Sequence, residues 1–247
     1  MMPSSTHPLE VKYRRARLLN VVLGVVVVFL GIVLAAQLLR GPNPAIAAPP
    51  SPGASPQSGG GTGELGYARR DRDDALAIGA LDAPVVLAEW TDLRCPFCAV
   101  FSRESLPVLI KEYVDTGKVR IEFHDVAFFG EDSEDAAVAA RAAARQGRFL
   151  EFVTAVYDVA PQGSHPDLPR EVLTAFAEKA GVPDMPRFEA DLDDPALRTA
   201  VQDSTRAAQQ LGVTSVPFFV AGDRAVAGAH PIDTFRTLLD SALDQAG

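Results

Sequence analysis

The spacing of hydrophobic residues changes abruptly along this chain, and each rhythm predicts a different element. From Leu18 to Leu39 the sequence is apolar apart from Asn20, Gly24, Gly31 and Gln37. As a helix rising about 1.5 Å per residue, that run spans roughly 33 Å, close to the hydrocarbon thickness of about 30 Å. This predicts a transmembrane anchor over 18–39. Lys12, Arg14, Arg15 and Arg17 precede it and only Arg40 follows closely, so the positive-inside bias places residues 1–17 in the cytoplasm and the rest outside. Ala45-Ile46-Ala47 has the small-x-small form of a signal-peptidase site, but secretory apolar regions are usually about 7–15 residues long, which favours a retained, single-pass anchor.

Residues 40–66 have no rhythm. Gly41–Gly66 holds six Pro, seven Gly and three Ser, a composition that cannot build a core and reads as a linker with a root-mean-square span of about 25–30 Å. It contains Gly61-Thr62-Gly63-Glu64-Leu65-Gly66, the letters of a dinucleotide-binding loop. No strand precedes it and the charged stretch Arg69–Asp74 follows where an apolar helix should open, so it is a decoy.

From Tyr67 onward, over 67–247, the pattern is that of one folded domain. Val85–Trp90 is a short, nearly continuous apolar run, as in a strand buried on both faces. Val100, Phe101, Leu106, Leu109, Ile110 and Tyr113 then fall at helical spacing up to Gly117, with Pro107 expected to kink that helix. A strand follows at Val119–Phe123. Ser133–Leu211, rich in Ala, Glu, Arg and Leu and punctuated at Gly147, Pro161, Gly181 and Pro195, predicts four or five helices. Strands Phe218–Ala221 and Ala225–Ala227 meet at Gly222-Asp223, and a closing helix from Pro231 carries Ile232, Phe235, Leu238, Leu239 and Leu243 on one stripe.

Charge sharpens this division. The whole chain has 23 Lys and Arg against 32 Asp and Glu, a net charge of -9. Residues 1–40 hold five of the basic and one of the acidic residues, leaving 18 against 31, or -13, beyond the anchor. So acidic a domain is a poor ligand for nucleic acid phosphates, and no nucleic acid partner is expected.

Both cysteines of the chain lie in Cys95-Pro96-Phe97-Cys98, between the apolar strand and the helix. Pro96 suits the first helical position, which leaves Cys95 as the N-cap. The first-turn N–H groups and the helix dipole there favour a thiolate, lowering the thiol pKa from about 8.5. Cys98, one turn on, is placed to resolve a mixed disulfide. A purely structural disulfide across so short a loop would contribute only about 2 kcal/mol. Zinc would need a second ligand pair, which His124, His165 and His230 do not supply. Haem attachment needs His where Ala99 stands.

The segment Trp90-Thr91-Asp92-Leu93-Arg94-Cys95-Pro96-Phe97-Cys98 resembles the active-site segment of the DsbA-like thiol-disulfide oxidoreductases of the thioredoxin-fold superfamily. Gly212-Val213-Thr214-Ser215-Val216-Pro217-Phe218-Phe219-Val220 resembles that family's loop and strand carrying a cis-proline. The likeness runs from about Asp82 to the C-terminus. It implies an α/β thioredoxin fold with a DsbA-like helical insertion at about 133–211, preceded here by one N-terminal transmembrane helix. It implies that Cys95 and Cys98 are catalytic, that Glu89 helps move the proton of the buried cysteine, and that Val216, before Pro217, offers backbone groups to an extended substrate peptide. His124, Asp125 and His230 are expected to be edge or loop residues and not catalysts.

No cofactor or metal is implied. The expected partners are exported proteins with reduced cysteines and a re-oxidising membrane protein of the DsbB or vitamin K epoxide reductase type. Phe97 departs from the family's strong oxidants, which carry His there. Because Phe neither carries charge nor donates a hydrogen bond, the expected potential is intermediate but still oxidising. The competing functions are a thiol-disulfide reductase or isomerase, and a tethered module that binds metal through its thiols.

Overall fold

The computed structural model describes residues 66–247. The expected anchor at 18–39, residues 1–17 and nearly all of the 40–66 linker lie outside the described residues. Among the described residues no helix is long and apolar enough to cross a membrane.

Two strands open the domain, the short Ala77–Ile78 (β1) and Val85–Thr91 (β2). Every residue of β2 is buried, as an unbroken apolar run requires of a strand covered on both faces. Val119–Asp125 (β3) lies parallel to β2, with Glu89 opposite Phe123 and Thr91 opposite Asp125. β1 pairs antiparallel on the outer side of β3, and at two residues carries too little pattern to be read from sequence. Phe218–Ala221 (β4) runs antiparallel to β2, and Arg224–Ala227 (β5) closes a hairpin with it around Gly222 and Asp223. The sheet order is β1-β3-β2-β4-β5. β1 and β3 approach so closely that a Cβ on Gly79, at φ +96°, would lie 2.8 Å from the Val119 carbonyl oxygen.

The parallel β2–β3 pair needs a crossover. Pro96–Glu104 (α1) and Leu106–Leu109 (α2) begin it, and a wide turn at Ile110–Val114 ends it, with the Asp115 N–H bonded to the Ile110 carbonyl at 2.8 Å. The expected kink is therefore a break. Pro107 has no N–H for the Arg103 carbonyl, and the chain leaves ideal helical geometry at Ser105 (φ -103°, ψ -44°). Phe101 of α1 packs on Phe219 of β4, with ring centroids 4.4 Å apart.

The helical insertion comprises Glu131–Ala144 (α3), Phe149–Asp158 (α4), Arg170–Lys179 (α5), Met185–Asp191 (α6) and Pro195–Gln210 (α7). Pro195 opens α7 at its first turn behind the Asp194 cap instead of ending a helix. The closing helix Ile232–Ala246 (α8) buries Phe235, Leu238, Leu239 and Ala242, with Ile232 and Leu243 half-buried against the same core. Phe235 meets both Phe101 and Phe219, at 4.9 and 4.8 Å between ring centroids, so α1, β4 and α8 share one face of the sheet.

Candidate active site

The end of β2 delivers the chain to the start of α1, and Cys95 and Cys98 sit at that junction. Cys95 has extended backbone angles (φ -76°, ψ 118°) and caps the helix, with Pro96 in its first turn. Its Sγ accepts the Cys98 N–H at 3.4 Å and, as a thiol, donates to the Val216 carbonyl at 3.4 Å. Both cysteines are free and buried. Val216-Pro217 is the cis peptide bond expected from the sequence, and it places the Val216 carbonyl beside sulfur.

The two thiols diverge. The Cys98 thiol first, and then the N–H groups of Cys98 and Phe97, hold the Cys95 pKa below its ordinary value, against burial and the nearby Asp92 charge. Burial first, and then the hydrogen bond and negative charge of Cys95, push the Cys98 thiol well above the ordinary value. A low-pKa sulfur that leaves easily is thus paired with one that prefers its proton.

Glu89 stands in the middle of β2 and is 1% exposed, so it does not face solvent. Burial raises its pKa to about 8, only partly offset by the nearby Thr91 hydroxyl, and among the described residues Oε2 has no hydrogen-bond partner. Phe97 is 60% exposed and supplies an apolar surface next to a sulfur that is itself nearly covered.

Several residues of the site were not singled out by sequence reasoning. Asp92 is fully buried; its carboxylate accepts the Arg94 and Phe128 N–H groups at 2.9 and 2.8 Å, and its carbonyl accepts the Cys95 N–H at 2.9 Å. Arg94 donates to the carbonyls of Pro166 and Phe129 at 2.8 and 3.0 Å and faces Asp132 at 3.2 Å. Tyr157 of α4 reaches Thr91 and the Asp92 carbonyl. The available signals were the polar Thr91-Asp92 pair interrupting an apolar run, and a lone phenol on the otherwise apolar face of α4.

His124 stands near the end of β3, past Ile121 and Glu122 where β1 pairs, so it is bordered by Trp90 of β2 on one side and lies beyond β1 on the other. Its ring stacks on Trp90 at 4.7 Å, and Nδ1 lies 3.0 Å from the Arg69 guanidinium. A guanidinium only donates, so Nδ1 accepts and the ring proton is on Nε2. Burial, with the Arg69 and Arg141 charges, lowers its pKa to about 3 and keeps the ring neutral. Asp125 is held by Arg141 through two contacts of 2.6 Å, and His230 bonds the Ala227 carbonyl at 2.9 Å. Trp90 alternates with Glu89 and Thr91 along β2, so its indole lies on the face opposite Thr91.

A family model described as "Thioredoxin" matches residues 71–241. A probable disulfide bond formation protein D of Bacillus anthracis is 31% identical over 153 residues, covering 60% of this chain and 70% of that protein. The chain belongs to the DsbA-like branch of the thioredoxin family. This DsbA-like protein is a thiol-disulfide oxidoreductase, and disulfide bond formation protein D of Bacillus subtilis resembles it at 23% identity over 168 residues, 67% of this chain and 76% of the relative. Solved structures agree in fold. Oxidised BdbD from Bacillus subtilis superposes with a TM-score of 0.64 at 22% identity, covering 68% of this chain and 92% of that one. Wolbachia pipientis alpha-DsbA1 gives 0.60 at 22% identity, covering 69% and 92%.

Proposed function

We propose that this DsbA-like chain is a membrane-anchored, extracytoplasmic dithiol oxidase that introduces disulfides into exported proteins through Cys95 and Cys98. The observation that carries this reading is the divergence of the two thiols: whatever stabilises the Cys95 thiolate stabilises the reduced enzyme, which makes its disulfide the better oxidant. In the reaction a substrate thiolate attacks Cys95 Sγ and Cys98 departs. A second substrate thiolate then attacks the substrate sulfur of the mixed disulfide, and Cys95 departs as its stabilised thiolate. Glu89 handles the proton of Cys98, Pro96 starts the helix that presents Cys95, and Phe97 with the backbone of Val216 and Pro217 receives the extended substrate beside sulfur.

The apolar run at 18–39 and the basic residues before it support a single-pass anchor with the N-terminus in the cytoplasm. Re-oxidation then falls to a membrane protein of the DsbB or vitamin K epoxide reductase type. Equilibration of the full-length chain with glutathione tests the direction. Stabilisation by backbone groups without a charged residue at Phe97 gives a potential between about -230 and -120 mV, whereas a value near about -270 mV marks a reductase. Oxidation of a reduced, unfolded test protein must also disappear in Cys95→Ser.

A further inference from the structure

Asp92 is a fully buried acid in the turn that carries Cys95, and the exchange scheme gives it no part. Its Oδ1 accepts the Arg94 N–H at 2.9 Å and its Oδ2 the Phe128 N–H at 2.8 Å. Its own carbonyl accepts the next amide along, that of Cys95, at 2.9 Å, and also the Tyr157 O–H at 3.0 Å. One residue thus ties the cysteine turn to the segment after β3 and to α4 of the insertion.

The geometry of the turn does not call for a charge. A serine hydroxyl or an asparagine amide closes the same kind of turn without the cost of burying an anion. Both Asp92 oxygens accept N–H groups, as an ionised carboxylate does, and these donors are neutral backbone. Arg94, the one cationic residue between Thr91 and Cys98, points its guanidinium to the Pro166 and Phe129 carbonyls and to Asp132 and Asp167. The carboxylate binds the Arg94 amide and Cys95 is the next residue, so the negative charge and the Cys95 sulfur share one turn, where a second negative charge is disfavoured. The Cys98 thiol and the first-turn N–H groups outweigh this in lowering the Cys95 pKa, and the Asp92 charge acts in the opposite direction. The other titratable groups around the turn are Cys98, Glu89 and His165, whose Nδ1 lies 2.9 Å from the Arg94 carbonyl.

We infer that Asp92 sets the redox poise of the Cys95–Cys98 pair: it is a positioning residue for the turn whose fixed negative charge opposes a thiolate at Cys95 and so limits how strong an oxidant the disulfide becomes. This role rests on the dithiol exchange proposed above and adds the group that restrains its driving force. Cys95 leaves the mixed disulfide as a thiolate, so a charge that disfavours that thiolate weakens the reduced form and lowers the potential. The same charge works in favour of re-oxidation, because a less stabilised thiolate is a poorer leaving group toward substrate but a better nucleophile toward the re-oxidising partner. One carboxylate therefore balances the two halves of the cycle.

The test uses the full-length chain, with iodoacetamide alkylation of Cys95 in the reduced form followed by mass analysis across the acid to mildly alkaline range, and with glutathione equilibration. Asp92→Asn keeps the size and an oxygen for the Arg94 N–H but removes the charge. Its alkylation midpoint is expected about one pH unit below that of wild type, a modest shift for a neighbouring charge. Its equilibrium with glutathione moves toward the reduced protein by up to about tenfold, or about 30 mV upward. A role in geometry alone gives the opposite sign, because a loosened turn withdraws the Phe97 and Cys98 N–H groups from sulfur and raises the midpoint. Asp92→Glu keeps the anion and is expected to stay near the wild-type midpoint. An unchanged or raised midpoint in Asp92→Asn, or an equal fall in Asp92→Glu, overturns the inference. Should Asp92→Asn not fold, Asp92→Ser, whose hydroxyl takes the Arg94 N–H, must show the same fall, and a midpoint at or above wild type overturns the inference alone. A wild-type pair that never equilibrates with glutathione, in a chain whose Cys95 alkylation still answers to Asp92 as expected, sinks the dithiol reading instead.

Discussion

At the scale of single residues, the site works by contrast between neighbours. Glu89 shows this through its own effect on stability. Its pKa is about 8 in the folded chain against an ordinary 4.5, so between those values the native state binds the extra proton. The stability Glu89 contributes is complete below about pH 4.5 and is lost as pH rises through about 8, at most about 5 kcal/mol at 1.36 kcal/mol per pH unit. Glu89→Gln removes this dependence: urea unfolding at pH 9 should show the variant more stable than wild type, with the gap closing toward pH 5. The reverse order at pH 9 would contradict the buried placement. Phe97, at 60% exposure, can be changed with little effect on the fold. Phe97→His places a donor by the Cys95 thiolate, and one charge-assisted contact of about 1.4 kcal/mol raises the potential by about 30 mV, read by glutathione equilibration.

At the scale of elements, β2, β3, β4 and α8 were legible because an apolar run or a helical stripe carries its own signal. The sequence around Cys95 and Pro217 likewise pointed to two segments that the fold brings together, with Cys95 Sγ 3.4 Å from the Val216 carbonyl, since each motif is local. The break at Ser105 was less legible: a proline two residues on predicts trouble in a helix but not whether the chain bends or parts. Least visible was the segment before β2, where Arg69–Asp74 read only as a charged stretch. Glu122 decides its fate. This glutamate of β3 is fully buried and accepts the N–H groups of Arg69 and Arg70 at 2.6 and 2.9 Å and the Arg120 guanidinium at 2.9 Å. One carboxylate thus pins the start of the domain to the sheet, a partner that only the fold brings near. Glu122→Ala strands Arg120 in the interior, for which about 3–5 kcal/mol is typical. Limited proteolysis should then cut within 66–76 while the core persists, and resistance equal to wild type would show that other contacts hold the segment.

At the scale of the whole molecule, the insertion reaches back to hold the junction that carries Cys95. Its helices could be counted from composition, but not their bearing on the site, because that depends on contacts spanning 35 to 72 positions in sequence. Arg94, the residue before Cys95, is the tie. Its ion partners Asp132 and Asp167 are 55% and 95% exposed, and exposed pairs contribute little. Its bonds to the Pro166 and Phe129 carbonyls are charge-assisted and count for more, with about 1.5–3 kcal/mol typical of each such bond. The loop answers in kind, since His165 Nδ1 lies 2.9 Å from the Arg94 carbonyl and must carry the proton there, and its ring packs on Phe129 at 3.9 Å between centroids. Arg94→Met keeps much of the side-chain volume and removes the donors. Its expected cost of about 2–3 kcal/mol corresponds to a fall in Tm of roughly 4–12 °C for a domain of this size. Because the tie joins two parts of the chain, amide hydrogen exchange should quicken both at 160–169 and at 92–96. Protection lost at only one of these places would mean that the insertion and the cysteine junction are held independently.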